Sequence, residues 1–197
     1  MRTVPPTADG IAEAAALVRA GEIVAYPTET VYGLAADPFS VTAIEKLFAV
    51  KGRPETNPVL LAAADLEQVE RVASTLSPAA RALIDRFWPG PLSLVLPKAE
   101  CIPAALCGGG TKVCVRVPAC DTARALCRAV GHAITSTSAN ASGSAPARCA
   151  QAISLPGVAL CIDGGELQPS APSTVFDPDT RTLHRLGAIP ESLLLGQ

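Results

Sequence analysis

A mixed α/β fold, a twisted mixed sheet covered by helices, is what this sequence predicts, and three observations predict it. Short apolar runs alternate with segments whose apolar residues repeat at helical spacing. The order of these segments is irregular rather than a strict βαβ repeat, which favours mixed over all-parallel pairing. Apolar residues make up 49% of the chain against 17% charged, enough to bury a substantial core, and with 4% aromatics that core must be aliphatic. At 197 residues, with no internal repeat, low-complexity tract or linker, one domain over 1–197 is expected, its core about 8–190.

The elements follow in order. Asp9 is expected to cap a helix carrying Ile11, Ala14, Ala15 and Val18, ended by Gly21. Residues 22–26 read as a strand, and 27–34 as the turn leaving it. Ser40 caps a second helix with Ile44, Leu47 and Phe48 on one face, delivering Lys51 and Arg53 at its exit. Residues 59–63 are short enough for a buried strand. Asp65 and Ser77-Pro78 each open a helix, the latter with proline at the first helical position. The rigid turn Trp88-Pro-Gly-Pro91 leads into a strand over 92–96. Further strands are expected over 113–117, 133–135, 158–162, 174–176 and 182–185, with a helix over 122–130 and a polar loop over 136–140. The loops 143–148 and 164–172 are the expected mobile parts.

Composition narrows the function classes. The net charge is −2, from 16 cations and 18 anions, so nothing draws the whole molecule to nucleic acid or an anionic membrane; a polyanion must bind at a local cluster. Seven cysteines are an odd number with no C-x-x-C pair, which favours free thiols in a reducing cytosol over a disulfide scaffold. Only His132 and His184 could complete a Cys/His zinc site, and they lack its spacing; no protein-bound metal is expected. The N-terminus has no apolar leader, and no run approaches a membrane span, so a soluble, cytoplasmic protein is expected.

Several polar segments stand where an apolar fold does not need them. In 28–33, Thr28, Thr30 and Tyr32 offer hydroxyls, and Gly33 permits a left-handed backbone or a close ligand approach; an ordinary turn with solvated hydroxyls is the alternative. Lys51 and Arg53 flank a glycine at a helix end, with Asn57 after them. That chemistry suits a polyphosphate, and it equally suits the negative end of a helix dipole. Gly108-Gly-Gly-Thr-Lys112 is not a P-loop, because Thr precedes Lys and no clear helix follows. Arg116, in an otherwise apolar strand, must find an anionic partner or reach solvent; a buried ion pair is one reading and capture of a substrate carboxylate the other. Ser136, Ser138, Asn140 and Ser142 suit phosphate or ribose, or simply turns and caps. A hydrolytic triad through His132 and Ser138 lacks the G-x-S-x-G elbow.

Taken together, P-T-E-T-V-Y-G-L at 27–34, K-G-R-P at 51–54, N-P at 57–58, W-P-G-P-L at 88–92, V-R-V-P at 115–118, S-A-N at 138–140, S-T-V at 173–175 and R-L-G at 185–187 resemble the YrdC-type L-threonylcarbamoyladenylate synthases, the TsaC group. The resemblance implies a YrdC-like fold around a large concave basic cavity. It implies synthesis of threonylcarbamoyl-AMP and pyrophosphate from L-threonine, bicarbonate or CO2, and ATP, with Mg2+ accompanying the triphosphate. The product would pass to tRNA threonylcarbamoyl-transferase subunits for the adenosine beside the anticodon, with tRNA binding weak or indirect. It places Lys51, Arg53, Asn57, Ser138, Asn140 and Arg185 at ATP, with Lys51 and Arg53 catalytic. Thr30, Arg116, Ser136 and Ser173 fall at threonine, with Arg116 on its carboxylate. Three positions depart from the pattern: Ala62 where some relatives carry histidine, Lys112 where a small or hydroxyl residue is usual, and Leu186 where proline is frequent. The length is that of the short single-domain form. A carbamoyl-transfer module and a non-catalytic RNA-binding protein are the rival readings.

Overall fold

The computed structural model describes residues 1–52 and 57–195. Arg53 therefore lies outside the described residues. Among them the chain forms five α-helices and eleven strands divided between two mixed sheets.

The first sheet is built of β1 (Arg2–Val4), β2 (Ile23–Tyr26), β3 (Gly33–Ala35), β8 (Thr137–Ser138) and β9 (Val158–Ile162), in the order β1-β9-β2-β3-β8. The second holds β4 (Leu60–Ala62), β5 (Leu92–Pro97), β6 (Lys112–Arg116), β7 (Ile134–Thr135), β10 (Thr174–Asp177) and β11 (Thr182–Arg185), in the order β11-β10-β5-β6-β4-β7. Parallel and antiparallel pairs mix in both: β2 runs parallel to β9 and antiparallel to β3, and β6 runs parallel to β4 and antiparallel to β5. The mixed fold is as expected, and the strands are shared between two sheets.

The helices are α1 (Ala8–Arg19), α2 (Val41–Lys51), α3 (Leu66–Val72), α4 (Pro78–Phe87) and α5 (Asp121–Val130). Asp9 does not cap α1. Thr7 does, accepting from the Gly10 amide at 3.3 Å, and Asp9 sits in the first turn, where its charge suits the positive end of the helix. Ser40, Asp65 and Ser77 cap their helices as the sequence indicates, each accepting an amide three residues on. Helix α1 packs its Ala14, Ala15 and Val18 against α5 and β9, in a small core with Leu126, Val130 and Leu160.

In the second sheet, strand periodicity separates two environments. Successive side chains point to opposite faces, so Leu92, Leu94 and Leu96 of β5 and Val113 and Val115 of β6 share the core face. Fully burying one such side chain stabilises the fold by about 1.5–3 kcal/mol, which fixes the register. Ser93 and Val95, and Lys112, Cys114 and Arg116, are thereby turned to the other face. That face looks onto a cavity.

Candidate functional site

The cavity has a volume of about 670 Å³. This is in the range of pockets that enclose small molecules and cofactors, roughly 300–1,000 Å³. One wall is the polar face of the second sheet, carrying Lys112, Cys114 and Arg116 from β6, Asp177 from β10 and Arg185 from β11. The opposite wall is the β2–β3 connection with Thr28 and Thr30, together with Ser136 and Ser138. Ser136 stands between β7 of one sheet and β8 of the other, and its amide donates to Leu60 O at 2.7 Å. The chain crosses from sheet to sheet at the cavity, and this crossing places a polar strand end there.

Of the residues expected at threonine, all four border this space: Thr30, Arg116, Ser136 and Ser173. Thr28 organises the loop. Its hydroxyl donates to Val31 O at 2.7 Å and accepts from the Thr30 and Val31 amides, and it lies 3.1 Å from the Thr30 hydroxyl. Such hydroxyl-to-backbone bonds hold a turn without help from a strand ladder. Arg116 is only 2% exposed, and its Nη1 donates to Glu29 Oε1 at 3.0 Å. The ion pair thus joins the two walls. Ser173 Oγ lies 2.8 Å from Ser93 Oγ, while Arg185 donates from Nη2 to Ser173 Oγ at 2.9 Å and from Nε to Ser173 O at 3.0 Å. Burial lowers the Arg185 pKa from its ordinary value, with the Arg116 charge acting in the same direction. Two guanidinium groups in one cavity favour an anionic occupant.

The residues expected at ATP divide. Ser138 and Arg185 border the cavity. Lys51 is 4% exposed and its Nζ donates to Ser138 O at 2.6 Å and Asn140 O at 2.7 Å, so the ammonium ties the α2 C-terminus to the Ser138–Asn140 main chain. Asn140 Nδ2 donates to Ala141 O and Ser144 O, at 2.9 and 2.7 Å. Asn57 is exposed, and Pro58 beside it borders the cavity.

Some sequence expectations change. Gly33 is not left-handed. It lies in β3, and a Cβ there would meet Ser136 Oγ and the Tyr26 ring at 3.3 Å, so close packing explains it. The Tyr32 hydroxyl does not offer itself to a ligand: it accepts from Gly164 N at 2.9 Å and donates to Gly165 O at 2.8 Å, and burial pushes the phenol up to about 12. The polar loop over 136–140 contains β8. Gly187 is required by space, because a Cβ would lie 2.1 Å from Pro172 O. The 164–172 segment straps the opposite wall, with Ser170 Oγ on Glu29 O and Thr30 O and Arg148 on Leu167 O.

Sequence reasoning assigned no role to Glu29, Ser93 or Asp177. Arg116 announced its need for an anion, but Glu29 lies 87 positions away, and nothing in the sequence pairs them. Asp177 pairs with Lys112 and accepts the Asp179 and Thr180 amides at 3.1 Å. Burial pushes its carboxyl up, but the Lys112 and Thr180 hydrogen bonds outweigh this and hold it below its ordinary value. Lys112 is therefore a neutralised cation rather than an isolated one. Burial pushes the Cys114 thiol up to about 12, which keeps it protonated at neutral pH. All seven cysteines carry free thiols, and three of them are buried: Cys107, Cys127 and Cys161. Among the described residues no three His, Cys, Asp or Glu side chains cluster as a metal site, and no helix is long and apolar enough to cross a membrane.

A family model described as Telomere recombination, Sua5_yciO_yrdC, matches residues 16–187. The chain is 41% identical to the threonylcarbamoyl-AMP synthase of Thiobacillus denitrificans over 172 residues, covering 86% of this chain and 92% of that one. It is 42% identical to the threonylcarbamoyl-AMP synthase of Pyrococcus abyssi over 167 residues, covering 83% of this chain and 49% of that one. It thus spans about half the length of the archaeal relative. Among solved structures, P. abyssi Sua5 complexed with L-threonine aligns with a TM-score of 0.92 at 37% identity, over 99% of this chain and 60% of that one. Escherichia coli YciO aligns with a TM-score of 0.82 at 25% identity, over 96% of both chains.

Proposed function

Because this chain belongs to the Sua5/YciO/YrdC family, we propose that it joins L-threonine, bicarbonate or CO2, and ATP into threonylcarbamoyl-AMP with release of pyrophosphate. The observation that carries this reading is the buried Arg116 in a hydroxyl-lined cavity that also presents Arg185. We assign the amino acid to the side of the cavity around Arg116, Thr30 and Ser136, and the nucleotide to the side around Ser138.

The chemistry asks for such a division. The carbamate of threonine attacks the α-phosphate, an O–P bond forms, and the bond to the pyrophosphate oxygen breaks. Both reacting groups are anions, so fixed cations lower the barrier more than a general base would. Arg185 stands in the cavity for that role, and Lys51 and Arg53 are assigned to the triphosphate end. In the described geometry Lys51 acts through the Ser138–Asn140 main chain, shaping the segment that would receive the nucleotide. At the other end Arg116 receives the threonine carboxylate, and Thr30, Ser136 and Ser173 supply hydroxyl partners. A hydrogen-bonding partner for the substrate hydroxyl rejects analogues that lack it, because the site's own polar group would be left unpaired. Ala62 lies beside Arg116 across the β4–β6 ladder, so it contributes volume there rather than a ligand.

Magnesium belongs to this reading as the companion of ATP, a substrate ion. The strap over 164–172 is the segment we assign to shielding the water-labile mixed anhydride. Transfer to the adenosine next to the anticodon of tRNA falls to separate transferase subunits. The fold is read as a single YrdC-like domain acting in the cytoplasm.

The test is pyrophosphate release. The protein should release it from ATP only when L-threonine and bicarbonate are both present, with threonylcarbamoyl-AMP detectable by mass spectrometry. Release with carbamoyl phosphate in place of threonine would favour the carbamoyl-transfer reading instead. Salt-sensitive RNA binding without turnover would favour the RNA-binding one.

A further inference from the structure

We propose that Glu29 and Arg116 exchange partners when L-threonine binds: the substrate carboxylate takes the guanidinium, and Glu29 takes the substrate ammonium. The inference rests on the proposed amino-acid substrate and adds a residue that the reading above leaves unassigned.

The resident pair is only half made. One hydrogen bond, Arg116 Nη1 to Glu29 Oε1 at 3.0 Å, joins the two groups. Arg116 Nε and Glu29 Oε2 are both buried without a hydrogen-bond partner among the described residues. A buried charged group with an unmade hydrogen bond bears most of its desolvation cost uncompensated, so this pair is a poor structural bridge. It is a good place for a molecule that brings one anion and one cation together. An α-amino acid does so, and its zwitterion leaves the local charge unchanged.

The partner that moves is Glu29. Its side chain is 21% exposed against 2% for Arg116, and it rises from a loop rather than a strand. The loop's main chain is nonetheless fixed, by Thr28 Oγ1 on the Thr30 and Val31 amides and by Ser170 Oγ on Glu29 O and Thr30 O. Glu29 itself does not border the cavity, but Thr28, Thr30 and Arg116 do, so rotation of its side chain carries the carboxylate toward the end where the amino acid sits. The other acid at the cavity, Asp177, already holds Lys112 and two main-chain amides. Three of its roughly four lone-pair sites are thereby committed.

The exchange makes Glu29 a specificity residue for the amine, which the binding of two ligands can read. The probes are L-threonine and (R)-3-hydroxybutyrate, which is the same molecule without the amino group. Both are titrated calorimetrically into the protein and into Glu29→Gln and Glu29→Asp, with ATP titrated into each as a control for an intact fold. The wild type should prefer threonine by at least about tenfold, as a charge-assisted contact outweighs its loss. In Glu29→Gln that preference should fall to within about twofold, and Glu29→Asp should recover part of it. An unchanged ratio, with both ligands weakened together, would mean that Glu29 merely props Arg116 and would overturn the proposal. So would equal tightening of both, the mark of a simple competitor for Arg116. A wild type that binds ATP but no threonine would instead sink the proposed function.

Discussion

The two ends of the cavity are built differently. Of the residues assigned to threonine and their loop, Thr28, Thr30, Ser136, Ser173 and Arg116 are all buried; Thr28 meets Thr30 at 3.1 Å, Ser173 meets Ser93 at 2.8 Å, and Arg116 holds Glu29. Of the residues assigned to ATP, Asn57 is exposed, Asn140 is half-buried, and Lys51 donates to the carbonyl oxygens of Ser138 and Asn140. The proposed function asks the first set to recognise a small molecule whose every polar atom must be matched, and an unmatched one is costly in a buried site. It asks the second set to admit a long, highly charged molecule that keeps much of its own solvation and needs positioned cations more than enclosure. On the proposed function, the difference separates selectivity, carried by buried groups, from capacity, carried by exposed ones.

If that separation is real, the ends should fail independently. The largest effect is expected from Arg116→Ala: a rise of roughly 30-fold or more in the threonine KM, since removing one partner of a buried charged contact costs about 2–5 kcal/mol. The ATP KM should stay within about threefold; a matching rise there would break the comparison. Lys51→Met comes next, with the opposite signature. Losing two charge-assisted bonds to the Ser138–Asn140 main chain should raise the ATP KM by about 10–100-fold and leave threonine binding within about twofold.

Legibility in the sequence follows the same division. Strands whose side chains carry their own burial signal, such as the alternating leucines of β5 and valines of β6, were readable within a residue or two. Strands β1, β3 and β8 were not. They are two or three residues long, and their hydrogen bonds exist only because distant chain segments bring partners to them. The sharing of strands between two sheets was hidden for that reason, since the crossing at Ser136 has no composition of its own. Helix caps were readable except at α1, where Thr7 and Asp9 are both competent and packing decides. In the site, single residues such as Thr30, Arg116, Ser136 and Ser173 could be placed by motif, but pairs could not. Glu29 with Arg116 and Lys112 with Asp177 are joined across 87 and 65 positions, a property of topology.

Two smaller effects sharpen the picture of the wall between the ends. Asp177→Asn should lower stability at neutral pH by about 1–3 kcal/mol, because a carboxylate holding Lys112 is replaced by a neutral amide. The folded-state pKa of Asp177 lies below its ordinary value, so its contribution is full above the ordinary carboxylate range. It is lost as pH falls through the folded value, and urea midpoints of the two proteins should converge in acid. The smallest effect is on alkylation. Exposed Cys101 should react with iodoacetamide well before Cys114, whose thiol burial pushes up to about 12, and Cys127 and Cys161 should react only on unfolding. Cys114 labelling as fast as Cys101 would show the mid-cavity wall to be more open than described.

The division of the cavity is tested most directly by hydrogen exchange with each substrate added alone. L-threonine should slow exchange in the segment 28–32 and around Ser136 and Ser173, while ATP should slow it around Lys51 and from Ser138 to Ser144. Protection of one common segment by both ligands, or threonine protection confined to 138–144, would contradict the account.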